Sequence, residues 1–162
     1  MSRLDSFIRR LEAQRACIDH AVALVVDLPG PVLELGLGNG RTYDHLRQRL
    51  PDREIFVFER RPDAHPECMP DADHLVIGDL EATLPEAADR LPAHAALIHS
   101  DIGTGDPQRN AAVAGQLSSL LPPLLRTGAV VVSDQPLDTP ALTPAGLPTG
   151  VWDGRYFIYR RR

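Results

Sequence analysis

The chain has no lysine at all: all 17 of its basic residues are arginine. Any chemistry that depends on a lysine Schiff base or a lysine general base is thereby excluded. Cysteine is nearly as scarce. Cys17 and Cys68 stand far apart and form no Cys-x-x-Cys pair, so neither a disulfide framework nor a zinc knuckle is expected. Nor is there an unbroken apolar run near the roughly 18 residues a membrane span needs, and the N-terminus lacks an apolar signal core. The expectation is a cytoplasmic protein with no membrane partner. Basic runs are also missing except for Arg160-Arg161-Arg162, which reads as a solvated tail and not as a phosphate-binding face. With a net charge of −5, no nucleic-acid partner is expected.

What is present is ordinary globular material. The 162 residues are 43% hydrophobic and 24% charged, enough for one domain with a buried core. From Ser2 to about Val26, Leu4, Phe7, Ile8, Leu11, Ile18, Ala21, Val22 and Val25 recur mostly at three- and four-residue steps, predicting an amphipathic helix within residues 1–28. Pro29-Gly30-Pro31 closes it. Short apolar runs follow at Val32 to Leu35, Ile55 to Glu59, Leu75 to Asp79, Ala95 to Asp101 and Ala129 to Asp134. Helix-like segments separate them at Arg41 to Leu50, Glu81 to Leu91 and Pro107 to Leu121. This alternation predicts βαβ units and a mostly parallel sheet over residues 31–134. Asp106 and Pro107 form a helix start. Prolines 136, 140, 144 and 148 make residues 135–150 a stiff extended connection, and residues 151–160 read as an antiparallel edge strand.

The informative segment is Val32-Leu33-Glu34-Leu35-Gly36-Leu37-Gly38-Asn39-Gly40-Arg41-Thr42, an apolar strand running into alternate glycines and then a helix. Glycines let the backbone bend and let a ligand approach closely. A dinucleotide fingerprint needs its third glycine where Arg41 stands, which disfavours a nicotinamide-dependent oxidoreductase. Glu34, two residues before the first glycine, suits a ligand carrying an ammonium.

Together these residues resemble motif I of class I S-adenosylmethionine-dependent methyltransferases, Asp/Glu-x-Gly-x-Gly-x-Gly. Phe56-Val57-Phe58-Glu59 resembles motif II, which implies that Glu59, with Arg60 beside it, reads the ribose, near the offset of about 20 residues expected of such an acid. Val76-Ile77-Gly78-Asp79-Leu80 is similar to motif III, implying that Asp79 and the Leu80 backbone meet the adenine. Ala96-Leu97-Ile98-His99-Ser100-Asp101 resembles motif IV, beside the transferred methyl group, and Leu124 to Val132 resembles the helix-turn-strand that follows. The whole pattern resembles a group of short bacterial S-adenosylmethionine methyltransferases without a defined substrate. It implies a single-domain α/β, Rossmann-like fold with S-adenosyl-L-methionine as cofactor. The implied cofactor-binding residues are Glu34, Gly36, Gly38, Gly40, Thr42, Tyr43, Glu59, Arg60, Asp79, Leu80 and Asp101. Asp101 is also the catalytic candidate, with His99 behind it.

Other readings of these residues stay open. Asp79 can cap the helix that carries Glu81, Asp101 can start the Gly103-Thr104-Gly105 turn, His99 can be a core histidine, and Tyr43 can pack on the N-terminal helix. His65, Cys68 and His74, with Asp71 and Asp73, lie among prolines and lack zinc spacing, so a solvated loop is expected and no metal. The short remainder after Asp134 leaves too little chain for the family's final helix plus two antiparallel strands, so an abbreviated substrate region is expected. The acceptor is expected to be a small molecule, since the chain lacks a basic track for nucleic acid and any appended protein-recognition module; the lack of an Asn/Asp-Pro-Pro-Tyr/Phe signature after Asp101 argues against amino methylation of nucleobases or glutamine. The long N-terminal helix makes a homodimer plausible. A non-catalytic S-adenosylmethionine-binding or regulatory protein is the alternative class.

Overall fold

The computed structural model describes residues 2–91 and 94–162. Helix α1 runs from Arg3 to Leu24 and begins with a reciprocal cap: the Asp5 N–H donates to Ser2 Oγ at 3.0 Å and the Ser2 N–H to Asp5 Oδ2 at 2.9 Å. It ends before Val26, and Pro29 follows only after a turn. Strands β1 (Val32–Leu35), β2 (Ile55–Glu59), β3 (Leu75–Ile77), β4 (Ala95–Ser100) and β5 (Leu125–Ser133) are joined by helices α2 (Arg41–Arg49), α3 (Leu80–Arg90) and α4 (Pro107–Leu120), except that β2 and β3 are joined through a single 3-10 turn at Pro66–Cys68. Two more strands follow, β6 (Leu142–Ala145) and β7 (Phe157–Arg161).

The sheet order is β3-β2-β1-β4-β5-β7-β6. The first five strands run parallel, and β7 is antiparallel to both β5 and β6. Every residue of β1 and β4 is buried, as central parallel strands covered on both faces require. One core joins the sheet to α1 and α2 through Cys17, Ile18, Ala21, Leu46, Val57, Leu97 and Val130. The other face packs Leu33, Leu35, Ile98 and Val131 against Leu84 of α3 and Leu117 of α4. Strand order reverses between β1 and β4, and ligands in open α/β sheets bind outside the strand ends at such a point. No helix among the described residues is long and apolar enough to cross a membrane.

The C-terminal part departs from the sequence reading in three ways. Residues 135–150 are not only a connection: they contain β6, whose Pro144 pairs with Tyr159 of β7. An edge strand tolerates a proline because one side of it carries no ladder to break. The edge is therefore β6, while the strand expected at the edge, β7, lies inside the sheet between β5 and β6. Both antiparallel strands fit after Asp134, and it is the helix between β5 and β6 that is lacking. Finally, the terminal arginines are no solvated tail. Arg160 Nη1 donates to the Gly128 carbonyl at 3.3 Å, Arg161 Nη1 to the Ala141 carbonyl at 3.2 Å, and Arg162 Nε to Thr143 Oγ1 at 2.9 Å.

Candidate functional site

The loop from β1 to α2 turns on glycines with positive φ. At Gly40, the residue before α2, φ is 81°, and a Cβ would stand 2.6 Å from Cys68 Cβ and 2.7 Å from the Cys68 carbonyl oxygen. Only glycine fits there without displacing backbone. At Gly38, where φ is 51°, a Cβ would meet nothing within 4 Å, so that bend faces open space.

Glu59, at the end of β2, ties this loop down. Its Oε2 accepts from the Leu37 N–H at 2.8 Å and the Gly38 N–H at 3.3 Å, and its Oε1 from the Arg61 N–H at 2.8 Å. Burial by itself pushes the Glu59 carboxyl up, but the backbone donors outweigh it and hold the group below its ordinary value. The carboxylate is thus ionised and placed beside the glycine turn.

Glu59 also lines a cleft of about 580 Å3 with Phe58, Gly36, Asp79, Leu80 and Ile102. That volume lies within the roughly 300–1,000 Å3 usual for small-molecule sites. Asp79 holds the first position before α3, yet its side chain makes no capping bond, and its Oδ1 lies 3.5 Å from Arg60 Nη1. Two carboxylates from neighbouring strand ends, with apolar walls from Phe58 and Ile102, suit a ligand with a hydroxylated sugar and a flat base. The residues present therefore fit an adenosyl group.

Four expected site residues are placed differently. Glu34, expected to face an ammonium, is fully buried on the α1 side of the sheet: its Oε1 accepts from the Thr42 hydroxyl and its Oε2 lies 2.7 Å from His99 Nδ1. Thr42 is correspondingly turned inward to brace α2 against β1. Tyr43 packs against the core shared with α1, with the Arg47 guanidinium 5.5 Å from its ring centre. Asp101, one residue past β4, points beneath α1: its Oδ2 accepts from the Tyr156 hydroxyl at 3.2 Å and from Gln14 Nε2. It does not hold the Gly103 turn. The Gly103 N–H donates instead to Asp134 Oδ2 at 2.8 Å.

His99 is a paired core histidine. Burial pushes its imidazole down, but the charge and hydrogen bond of Glu34 outweigh this, with Asp101 and Asp134 adding, and hold it above its ordinary value. In the 62–74 segment His65 Nδ1 accepts from the Glu67 N–H at 3.3 Å, and His74 Nδ1 lies 2.7 Å from Asp71 Oδ1. The two histidines thus serve local turns.

Sequence reasoning did not single out Asp134, Gln14 or Tyr156. Asp134 carried a signal, since it closes the fifth strand as Asp101 closes the fourth. Gln14 and Tyr156 carried none, because only the packing of α1 and the segment before β7 over the sheet brings them to Asp101.

A second cavity, of about 910 Å3, lies beneath α1 and is lined by Asp101, Gly103, Asp134 and Tyr156. Thr104 borders both cavities, so the segment from Asp101 to Thr104 is the wall they share. Two cavities that meet over the strand ends leave room for two ligands side by side.

Comparison with known proteins agrees. Residues 1–161 match the family described as S-adenosyl-L-methionine methyltransferase. The crystal structure of an S-adenosyl-L-methionine methyl transferase from Silicibacter pomeroyi DSS-3 is 46% identical, covers 100% of this chain and 99% of its own, and superposes with a TM-score of 0.94. A putative caffeoyl-CoA O-methyltransferase from Staphylococcus aureus is similar in fold alone, at 12% identity and TM-score 0.60 over 90% of this chain and 82% of its own. The same holds for an S-adenosylhomocysteine-bound Podospora anserina methyltransferase, at 18% identity and TM-score 0.60 over 100% of this chain and 80% of its own. No curated protein matches in sequence. With a family match over residues 1–161 and a relative 46% identical over the whole chain, the chain belongs to the S-adenosyl-L-methionine methyltransferase family and is an S-adenosyl-L-methionine-dependent methyltransferase.

Proposed function

We propose that the protein methylates a small molecule held in the chamber beneath α1, with its methyl donor in the cleft at Glu59, within one domain spanning residues 1–162. The observation that carries this reading is the shared wall from Asp101 to Thr104, which puts two separate cavities in reach of each other. When bound, the donor supplies a methyl group already activated on a sulfonium. The chain has only to position and shield. Glu59 accepts from the ribose hydroxyls, Arg60 steadies Asp79, and Asp79 with the Leu80 backbone meets the adenine edge. Gly36, Gly38 and Gly40 leave room for the rest of the donor. The wall at residues 101–104 would line the point where donor and acceptor meet, and an in-line displacement needs the reacting atoms about 3–3.5 Å apart. Glu34, Thr42 and Tyr43 act from inside, by fixing α2 behind the loop.

Isothermal calorimetry with S-adenosylhomocysteine is expected to show saturable one-to-one binding, with NAD and NADP giving no heat. Absence of S-adenosylhomocysteine binding ends the assignment of the cleft.

Leu4, Phe7 and Ile8 of α1 are 65%, 46% and 44% exposed, an apolar flank that suits a homodimer. Light scattering is expected to give twice the chain mass, and a monomer at all concentrations removes the proposal. A cytoplasmic location is proposed with it, since Cys17 and Cys68 are unbridged and suit a reducing compartment.

A further inference from the structure

The chamber beneath α1 has a distinctive chemistry. Its floor carries two carboxylates from adjacent strand ends, Asp101 and Asp134. Asp101 accepts from Tyr156 and Gln14, and Arg10 Nη1 stands 4.0 Å from its Oδ1. Asp134 Oδ2 accepts from the Gly103 N–H at 2.8 Å and from Gln135 Nε2 at 3.2 Å, while its Oδ1 is buried with no partner among the described residues. Burial pushes the Asp134 carboxyl up, and the charge of Asp101 adds to this against the bonds from Gln135 and Gly103. The charge of Asp101 thus disfavours a second charge on Asp134 beside it. The charged and titratable groups facing them are Arg10 from α1, His99 from β4 and Tyr156. Burial and then the charge of Asp101 raise the Tyr156 hydroxyl, so it stays a donor.

The chamber's upper lining has the opposite character. Arg9 and Arg15 of α1 and Arg155 border it, and none has a carboxylate within ion-pair distance among the described residues. Glu12 and Asp153 border it as well without engaging them. Planar guanidinium groups without partners are suited to bind a carboxylate or phosphate. A chamber with a carboxylate floor and arginines above selects a ligand that is polar and protic at one end and anionic at the other.

Building on the donor-cleft reading above, we propose that the acceptor is a small hydroxylated carboxylate or phosphate monoester. Arg9, Arg15 and Arg155 hold its charged end and Asp101 takes the proton of its hydroxyl. The hydroxyl oxygen forms the new bond to the methyl carbon with one of its lone pairs. The carbon–sulfur electron pair stays on sulfur and cancels the sulfonium charge, and the hydroxyl proton passes to the Asp101 carboxylate. Asp134 is the positioning residue: its Oδ2 fixes the Gly103 backbone and so the wall beside Asp101.

The test loads the protein with S-adenosylhomocysteine and titrates matched probes: 4-hydroxybenzoate against 4-hydroxybenzamide, 3-hydroxybutyrate against 3-hydroxybutyramide, and glycerol 3-phosphate against glycerol. In at least one pair the anion is expected to bind about tenfold or more tighter than its neutral twin. Arg155→Gln or Arg15→Gln is expected to erase that preference with S-adenosylhomocysteine affinity unchanged. No anion preference in any pair, or a preference that survives Arg9→Gln, Arg15→Gln and Arg155→Gln, overturns the acceptor class. Failure to bind S-adenosylhomocysteine is a separate result and strikes the donor cleft instead.

Carbon-13 spectra of the aspartate carboxyls test the pair without any acceptor. Asp134 is expected to titrate above its ordinary 3.8, and Asp101→Asn to bring it back down. Since the folded state holds this proton more tightly, stability falls as pH rises from 3.8 through the folded value, and Asp134→Asn removes that fall. An Asp134 titration indifferent to Asp101→Asn overturns the pair.

Discussion

His99→Leu is expected to destabilise the protein by about 3–5 kcal/mol, the usual cost of stranding one member of a buried ion pair. Glu34 and His99 are each 1% exposed at the side chain, on neighbouring strands at matched register, with Nδ1 2.7 Å from Oε2. Without the imidazole, Glu34 keeps only the Thr42 hydroxyl as a donor, inside a core lined by Val32, Leu97 and Val130. Urea denaturation of the two single variants and of Glu34→Leu/His99→Leu measures this. The double variant is expected to lose much less than the sum of the singles, because no charge is left buried. The imidazole is held above its ordinary value, so its contribution is fully present below 6.5 and disappears as pH rises through the folded value. The gap between wild type and the double variant should therefore narrow in alkali. A single-variant loss under about 1 kcal/mol is incompatible with a buried charged pair.

Glu59→Ala is expected to weaken S-adenosylhomocysteine binding by roughly 100-fold or more. The proposed ribose contact involves two hydrogen bonds to a charged acceptor, each worth about 1.5–3 kcal/mol. The same carboxylate also holds the Leu37 and Gly38 N–H groups, so its loss loosens the loop that shapes the cleft. Glu59→Gln separates the two effects, since its amide oxygen still accepts from the loop while the charge is gone. Calorimetry on both variants should rank wild type above Gln and Gln above Ala. Affinity within threefold of wild type in the alanine variant removes Glu59 from the donor site. The carboxyl is held below 4.5, so its contribution to stability is present above 4.5 and is lost as pH falls through the folded value.

The relation between Glu34 and Glu59 shows where sequence pattern runs out. Glu59 closes an apolar strand and Glu34 stands one residue short of the end of another, and by pattern both were candidates to touch the donor. The pleat decides between them: Glu34 is the third residue of β1, its side chain on the α1 face opposite His99, whereas Glu59 is the last residue of β2 and stands at the open rim. Similarly, Pro144 disguised a strand of four residues, because proline argues against a central strand and is silent about an edge.

By itself the sequence determined the alternating α/β order, the parallel core and the glycine turn, since these rest on local periodicity and on backbone freedom at single residues. It also marked the acids at the strand ends. The tertiary structure decided which of those acids face a cavity and which are locked inside. It also set Asp101 beside Asp134, Gln14 and Tyr156, and gathered Arg9, Arg15 and Arg155 around one chamber. These residues come from α1, the ends of β4 and β5 and the segment before β7, which are remote along the chain, and their meeting depends on how α1 and the segment before β7 cross the sheet, which no local pattern encodes.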